Sequence, residues 1–186
     1  MSESESVTIV ALVGSLRAES INRAVAELAA TTAPETVSIE IFEGLATVPF
    51  YDEDLDVEPL DPAVDALRTA LTDADAVLIV TPEYNGTIPA VVKNAIDWGS
   101  RPYGNGALKD KPVAVIGASL GRYAGKWSQD DARRSVGIAG GRVVDSVELG
   151  IVTSELDGRP VSEVPELVEQ VRSAVADLVG AVGATV

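Results

Sequence analysis

Two stretches of this sequence hold residues whose types and spacing suit ligand chemistry. The first runs Gly14-Ser15-Leu16-Arg17-Ala18-Glu19-Ser20-Ile21-Asn22, between an apolar run and an amphipathic one. A helix beginning there would offer free N–H groups and a partial positive charge. Ser15, Ser20 and Asn22 add short polar groups and Arg17 a charged fork, which together suit a phosphate. Ordinary helix capping by Ser20, with Arg17 in solvent, uses the same residues. The second stretch is Thr81-Pro82-Glu83-Tyr84-Asn85-Gly86-Thr87-Ile88-Pro89. Pro82 and Gly86 shape a turn whose amides can face a planar ring, with Tyr84 packing nearby and Asn85 bonding to a heteroatom. A polar loop with a tyrosine at its hinge is the competing reading.

Other chemistries are excluded by what the chain lacks. It has no cysteine and no histidine. This argues against hydrolytic triads, zinc sites and CxxC redox chemistry, and leaves any redox work to a cofactor. GxGxxG is absent from the first turn, and Gly125-Lys126 lacks the upstream glycine and following Ser/Thr of a P-loop. Dehydrogenase and NTPase readings weaken accordingly, and a monophosphate such as that of FMN stays open. The formal charge is −15, with 29 acidic against 14 basic residues, so nucleic acid is not an expected partner. The acid excess suggests adaptation to high salt; the plainer alternative is an acidic, soluble protein. Residues 1–6 are polar and acidic, without the pattern of a secretory leader, and are read as a disordered tail. No apolar run approaches the ~20 residues of a membrane helix, so a soluble, cytoplasmic protein is expected.

The two stretches need a scaffold, and the hydropathy pattern supplies one. Short β-branched runs at 7–13, 37–42, 76–80, 113–118 and 142–149 alternate with amphipathic segments, as parallel strands joined by helices do. Ile21, Val25, Leu28 and Ala29 recur at helical spacing before Pro34, as do Val64, Leu67 and Leu71. Further helices are read from Pro89 to Trp98, through Asp131 to Val136, and along Val164 to Val179. Residues 43–60 read as a long loop, a feature that is often functional. The expectation is a single α/β domain over residues 1–186. Its five-stranded parallel sheet is doubly wound in the order 2-1-3-4-5, with helices on both faces. Ligands in such sheets bind beyond the carboxyl ends of the strands, here after strands one, three and four.

With these positions assigned, the sequence resembles the NADPH-dependent FMN reductase family of flavodoxin-like flavin, quinone, azo-dye and chromate reductases. Gly14 to Arg23 (GSLRAESINR) looks like that family's phosphate loop, and Pro82 to Trp98 (PEYNGTIPAVVKNAIDW) resembles its PEYNxSxPxxLKNAIDW signature. Pro49 to Leu55 is similar to its P-x-Y-x-x-D-L loop. The resemblance implies that Ser15, Arg17, Ser20 and Asn22 hold the FMN phosphate. It also implies that Pro82, Glu83, Tyr84, Asn85 and Gly86 border the isoalloxazine, joined by Ser119 and Gly121 of a third loop. That third loop, residues 118–125, is similar to a family S-x-G-G-x-G-G turn but carries Arg122 and Ala124 in place of two glycines. Arg122 can meet an anionic phosphate or stand in solvent. The implied activity is hydride transfer from NADPH or NADH to bound FMN, then electron transfer to a small acceptor: quinone, flavin, azo compound or metal oxyanion. No metal and no catalytic side chain is implied, because the flavin carries the chemistry. A flavodoxin-like FMN electron carrier that docks to protein partners is the rival reading. A homodimer or homotetramer is also implied, with the helix through Trp98 and the loop near Tyr51 as candidate interface.

Overall fold

The computed structural model describes residues 6–184. The acidic stretch 1–6, read above as a tail, therefore lies outside the described residues except for Ser6. The strands are β1 (Val7–Val13), β2 (Val37–Ile41), β3 (Ala76–Thr81), β4 (Pro112–Ser119), β5 (Arg142–Val143) and β6 (Leu149–Val152). The helices are α1 (Ile21–Thr32), α2 (Pro62–Asp73), α3 (Ala90–Gly99), α4 (Lys126–Ile138) and α5 (Pro165–Gly180). All paired strands run parallel, in the order β2-β1-β3-β4-β5, with β6 also paired to β4.

Alternation along β1 shows why the chain forms three layers. Ile9, Ala11 and Val13 pack with Val25, Leu28, Val171 and Leu178 of α1 and α5. Val10 and Leu12 turn the other way, onto Leu67 and Leu71 of α2, Val92 and Ile96 of α3, and Val136 of α4. A sheet covered on both sides needs apolar residues at every strand position. β3 is buried throughout and β4 everywhere but Ser119. Helix starts are marked chemically. The Ser20 hydroxyl oxygen accepts from Arg23 N at the head of α1, and Asp61 Oδ1 accepts from Ala63 N at 2.8 Å, followed by Pro62 at the first position of α2. Among the described residues no helix is long and apolar enough to cross a membrane.

The fifth strand departs from the sequence expectation. One strand over 142–149 is instead two short ones, both paired with β4. Val113 pairs with Val143 and Ile116 with Leu149, so three steps along β4 correspond to six along the edge. The intervening residues turn at Asp145 and Ser146, which are exposed, and return Val147 to the core, while Arg133 of α4 reaches the interrupted ladder. Its Nη2 donates to the carbonyl of Val115 at 3.3 Å and to that of Val147. A side-chain guanidinium thus supplies a donor where the strand ladder lapses, a contact that hydropathy along 142–149 cannot reveal. Arg133→Leu keeps much of the apolar stem and removes the donor. It should lower stability by about 1–3 kcal/mol, read as a reduced urea midpoint with an unchanged slope.

Candidate active site

The order of the sheet reverses between β1 and β3, and the chain leaves these two strands toward opposite faces. Gly14 is the residue that lets their ends close up. A Cβ there would sit 2.8 Å from Val92 Cγ2, 3.0 Å from Thr81 Oγ1 and 3.1 Å from Pro82 Cδ. Beyond Gly14 the loop is unusually free. Among the described residues, none of the backbone amides of residues 15–22 donates to a protein acceptor. Ser15 is half-buried and residues 16–19 are exposed. Arg17 makes no hydrogen bond or ion pair within the described residues. Arg23, at the end of the same motif, is instead engaged by Glu27 at 2.9 Å and Glu43 at 2.8 Å. The hydrogen bond from Arg23 holds the Glu43 carboxyl below its usual range and raises the guanidinium in return. Arg17 is therefore the cation this loop has available for an anion.

Ser20 and Asn22 are both buried. Ser20 realises the capping reading, yet its hydroxyl proton is not used by the cap. Asn22 Nδ2 donates to the Ala118 carbonyl at 3.1 Å, tying α1 to the carboxyl end of β4. Its Oδ1 is buried without a donor. An unsatisfied buried acceptor is costly, and a ligand hydroxyl or water would satisfy it.

The second stretch folds back on itself. Tyr84 N donates to Thr87 O at 3.1 Å and Thr87 N to Tyr84 O at 3.2 Å. Between them Asn85 and Gly86 have φ of 53° and 78°. This is the left-handed pair of a two-residue hairpin turn, which explains Asn-Gly at these positions. Pro82 is buried and Tyr84 half-exposed at 52%. Glu83 is engaged across the chain: its Oε2 accepts from Trp127 N at 3.0 Å and Ser128 N at 3.4 Å. Gly125 precedes α4 without a side-chain cap, so Glu83 supplies it from 44 residues away. Thr87 Oγ1 adds a hydrogen bond to Asp131 Oδ2 at 2.5 Å.

The third loop leaves β4 at half-buried Ser119 and exposed Gly121. Ala124 and Gly125 follow with φ of 51° and 73°. Ala124, at a position where the family pattern has glycine, thus holds a left-handed conformation at a cost of about 1 kcal/mol. The turn lies on a cross-strand glycine pair, Gly117 and Gly150. A Cβ at Gly117 would meet Ala124 O at 2.7 Å, and one at Gly150 would meet Ala124 Cβ at 2.8 Å.

Sequence reasoning missed what the KNAIDW end of the second motif does. Asn94 Nδ2 donates to Pro49 O at 2.9 Å and Val48 O at 3.3 Å, while its Oδ1 accepts from Tyr51 N at 2.8 Å. Trp98 Nε1 donates to Pro49 O at 2.8 Å. The Trp98 ring is fully buried, edge-on to Tyr51 at 4.9 Å and beneath Arg68. Asn94 and Trp98 therefore fasten the long loop, and the rings of Trp98 and Tyr51 pack on each other within the chain. The pairing of a buried amide with backbone 43 residues away has no local sequence signal.

These features fit FMN at the level of donor chemistry. The free amides and Arg17 suit a phosphate, the unsatisfied Asn22 Oδ1 suits a polyol hydroxyl, and the exposed Tyr84, Asn85 and Gly121 of the two further loops suit the border of a ring. Fold and site together define a flavodoxin-like α/β protein with an anion-receptive loop at its switch point. The NADPH-dependent FMN reductase family model matches residues 7–155, spanning all three loops. The chain is 43% identical over 136 residues to a quinone reductase of Pseudomonas putida, covering 73% of this chain and 72% of that protein. It is 40% identical over 125 residues to a 2-hydroxy-1,4-benzoquinone reductase of a Burkholderia species, 67% of each chain. Among solved structures it resembles the flavoenzyme NAD(P)H:(acceptor) oxidoreductase FerB of Paracoccus denitrificans, with TM-score 0.77, 27% identity, and 94% and 98% of the two chains covered. The chain belongs to the NADPH-dependent FMN reductase family, whose enzymes depend on FMN and NAD(P)H.

Asn94→Ala should leave the carbonyls of Val48 and Pro49 and the amide of Tyr51 short of partners. We expect a loss of about 2–3 kcal/mol in urea unfolding, accompanied by faster proteolytic cleavage within residues 43–60.

Proposed function

We propose that this chain transfers electrons from NAD(P)H to a quinone-type small acceptor, using FMN bound across the three loops at the carboxyl edge of the sheet. The observation that carries the reading is the run of unengaged amides at 15–22 beside unpaired Arg17, placed where the sheet order reverses. The names of the curated relatives support a quinone as acceptor.

In this reading Ser15, Arg17, Ser20 and the α1 amides bind the phosphate, and Asn22 accepts a hydrogen bond from the polyol. Pro82, Glu83, Tyr84, Asn85 and Gly86 form one wall of the ring site and Ser119 and Gly121 another. Glu83 works through its backbone there, since its carboxylate caps α4. The chemistry supplied by bound FMN is a two-electron exchange, with hydride taken from NAD(P)H and electrons delivered to the acceptor. The chain's own part is to orient the ring, leave one face open, and aim backbone donors where negative charge accumulates on reduction. No side-chain acid or base is required, in keeping with a sequence without histidine. Assembly as a homodimer or homotetramer belongs to the same reading.

One equivalent of NADPH added anaerobically to the FMN-loaded protein should bleach the yellow absorption of the oxidised flavin in a single half-reaction, and one equivalent of a quinone should restore it. A protein that stays yellow under NADPH yet accepts electrons from another flavoprotein is an electron carrier, and the reductase reading fails. Arg17→Ala should weaken FMN binding by about 1–3 kcal/mol, the scale of a charged hydrogen bond, measured by titrating FMN into the apoprotein. Unchanged affinity removes Arg17 from the phosphate site.

A further inference from the structure

One cluster, on the third loop and the first turn of α4, has no part in holding the cofactor. Arg122, Tyr123 and Trp127 form a continuous stack at the head of α4. The Arg122 guanidinium carbon lies 4.7 Å from the Tyr123 ring centroid, and its Nη2 donates to the Tyr123 hydroxyl at 2.5 Å. The rings of Tyr123 and Trp127 stack with centroids 5.5 Å apart and planes at 29°. Trp127 in turn lies on Gly86, where a Cβ would come within 3.3 Å of its Cε3. The stack therefore bridges the second and third loops.

Its exposure calls for an explanation. The sequence has two tryptophans; Trp98 is fully buried, whereas Trp127 stays 54% exposed and Tyr123 51%. These rings are nonetheless held in fixed orientation by Arg122, by Gly86 and by the Glu83 carboxylate on the Trp127 amide. An oriented, wet aromatic face is a surface on which a planar ring can stack. The charge beside it is equally specific. Lys126, Arg133 and Arg134, the next cations along the chain, each pair with Asp130 or Asp131. Among the described residues Arg122 has no carboxylate within ion-pair distance. The terminus of α4 is already occupied by Glu83, so an anion arriving here meets the guanidinium.

We infer that Arg122, Tyr123 and Trp127 form a binding platform for a planar, negatively charged ring, which stacks on the aromatic face and places its charge on Arg122. Within the reductase reading, on which the choice of ligands rests, two co-substrates present this chemistry: the adenosine phosphate end of NAD(P)H and a quinone acceptor bearing an acidic group. The rest of a chain with net charge −15 repels both, so one unpaired arginine at the mouth of the site has a large share in admitting them.

Calorimetric binding to the oxidised, FMN-loaded protein tests this, with three probes: a sulfonated naphthoquinone, a neutral naphthoquinone, and adenosine 2′,5′-bisphosphate. Arg122→Ala should weaken at least one anionic probe about tenfold, the scale of a charge-assisted hydrogen bond, and leave the neutral quinone within about twofold. Weakening of the sulfonated quinone assigns the platform to the acceptor, and weakening of the bisphosphate assigns it to the dinucleotide. Trp127→Ala should weaken the same probe, and Trp127→Phe should restore most of its affinity. In turnover, KM for the assigned co-substrate should rise in Arg122→Ala while kcat holds. Unchanged affinity for both anionic probes in Arg122→Ala and in Trp127→Ala overturns the inference. Failure of NADPH to bleach the flavin would sink the reductase reading instead, and the calorimetry would still report on the platform.

Discussion

The carboxyl edge of this protein depends on how closely β1 and β3 can approach one another. Gly14 has neighbours from three directions within 3.1 Å of where a Cβ would stand: a threonine hydroxyl, a proline ring and a valine methyl of α3. Any side chain there would wedge the two strands apart at the point where the sheet changes direction. Beyond that contact the chain leaves β1 as a loop whose amides, among the described residues, meet no protein acceptor.

Holding such an edge open requires that stabilising contacts be made elsewhere. The structure achieves this by division of labour within its motifs. In the first, Ser20 caps α1 and Arg23 is committed to acids, while Arg17 has no partner among the described residues. In the second, Glu83 caps α4 from a distance while Asn94 and Trp98 fasten the loop around Pro49. In the third, the Gly117–Gly150 pair makes room for a left-handed turn despite the methyl group of Ala124.

How far this was legible follows from where the signals lie. The layered fold could be read because burial on both faces of a parallel sheet forces unbroken β-branched runs at β1, β3 and β4, and periodicity reports burial directly. Ser20 was readable as a cap because the cap acts three residues away. The broken edge strand was not, because its cause is Arg133, a polar residue on a different element. Glu83 was placed beside the ring for its motif, whereas its carboxylate reaches across to α4. Asn94 and Trp98 belong to the second motif, yet the motif does not show their role, since their partners are backbone atoms far along the chain. Local chemistry shows in a sequence; contacts between distant backbone and side chains do not.

If the loop at 15–22 holds a phosphate, FMN and riboflavin should bind very differently. Titrated separately into the apoprotein at fixed ionic strength, the two ligands share the ring and polyol and differ in the phosphate alone. A phosphate loop gives one FMN per chain and an affinity for riboflavin weaker by about two orders of magnitude, as loss of several charge-assisted hydrogen bonds requires. Equal affinity for the two flavins would contradict it.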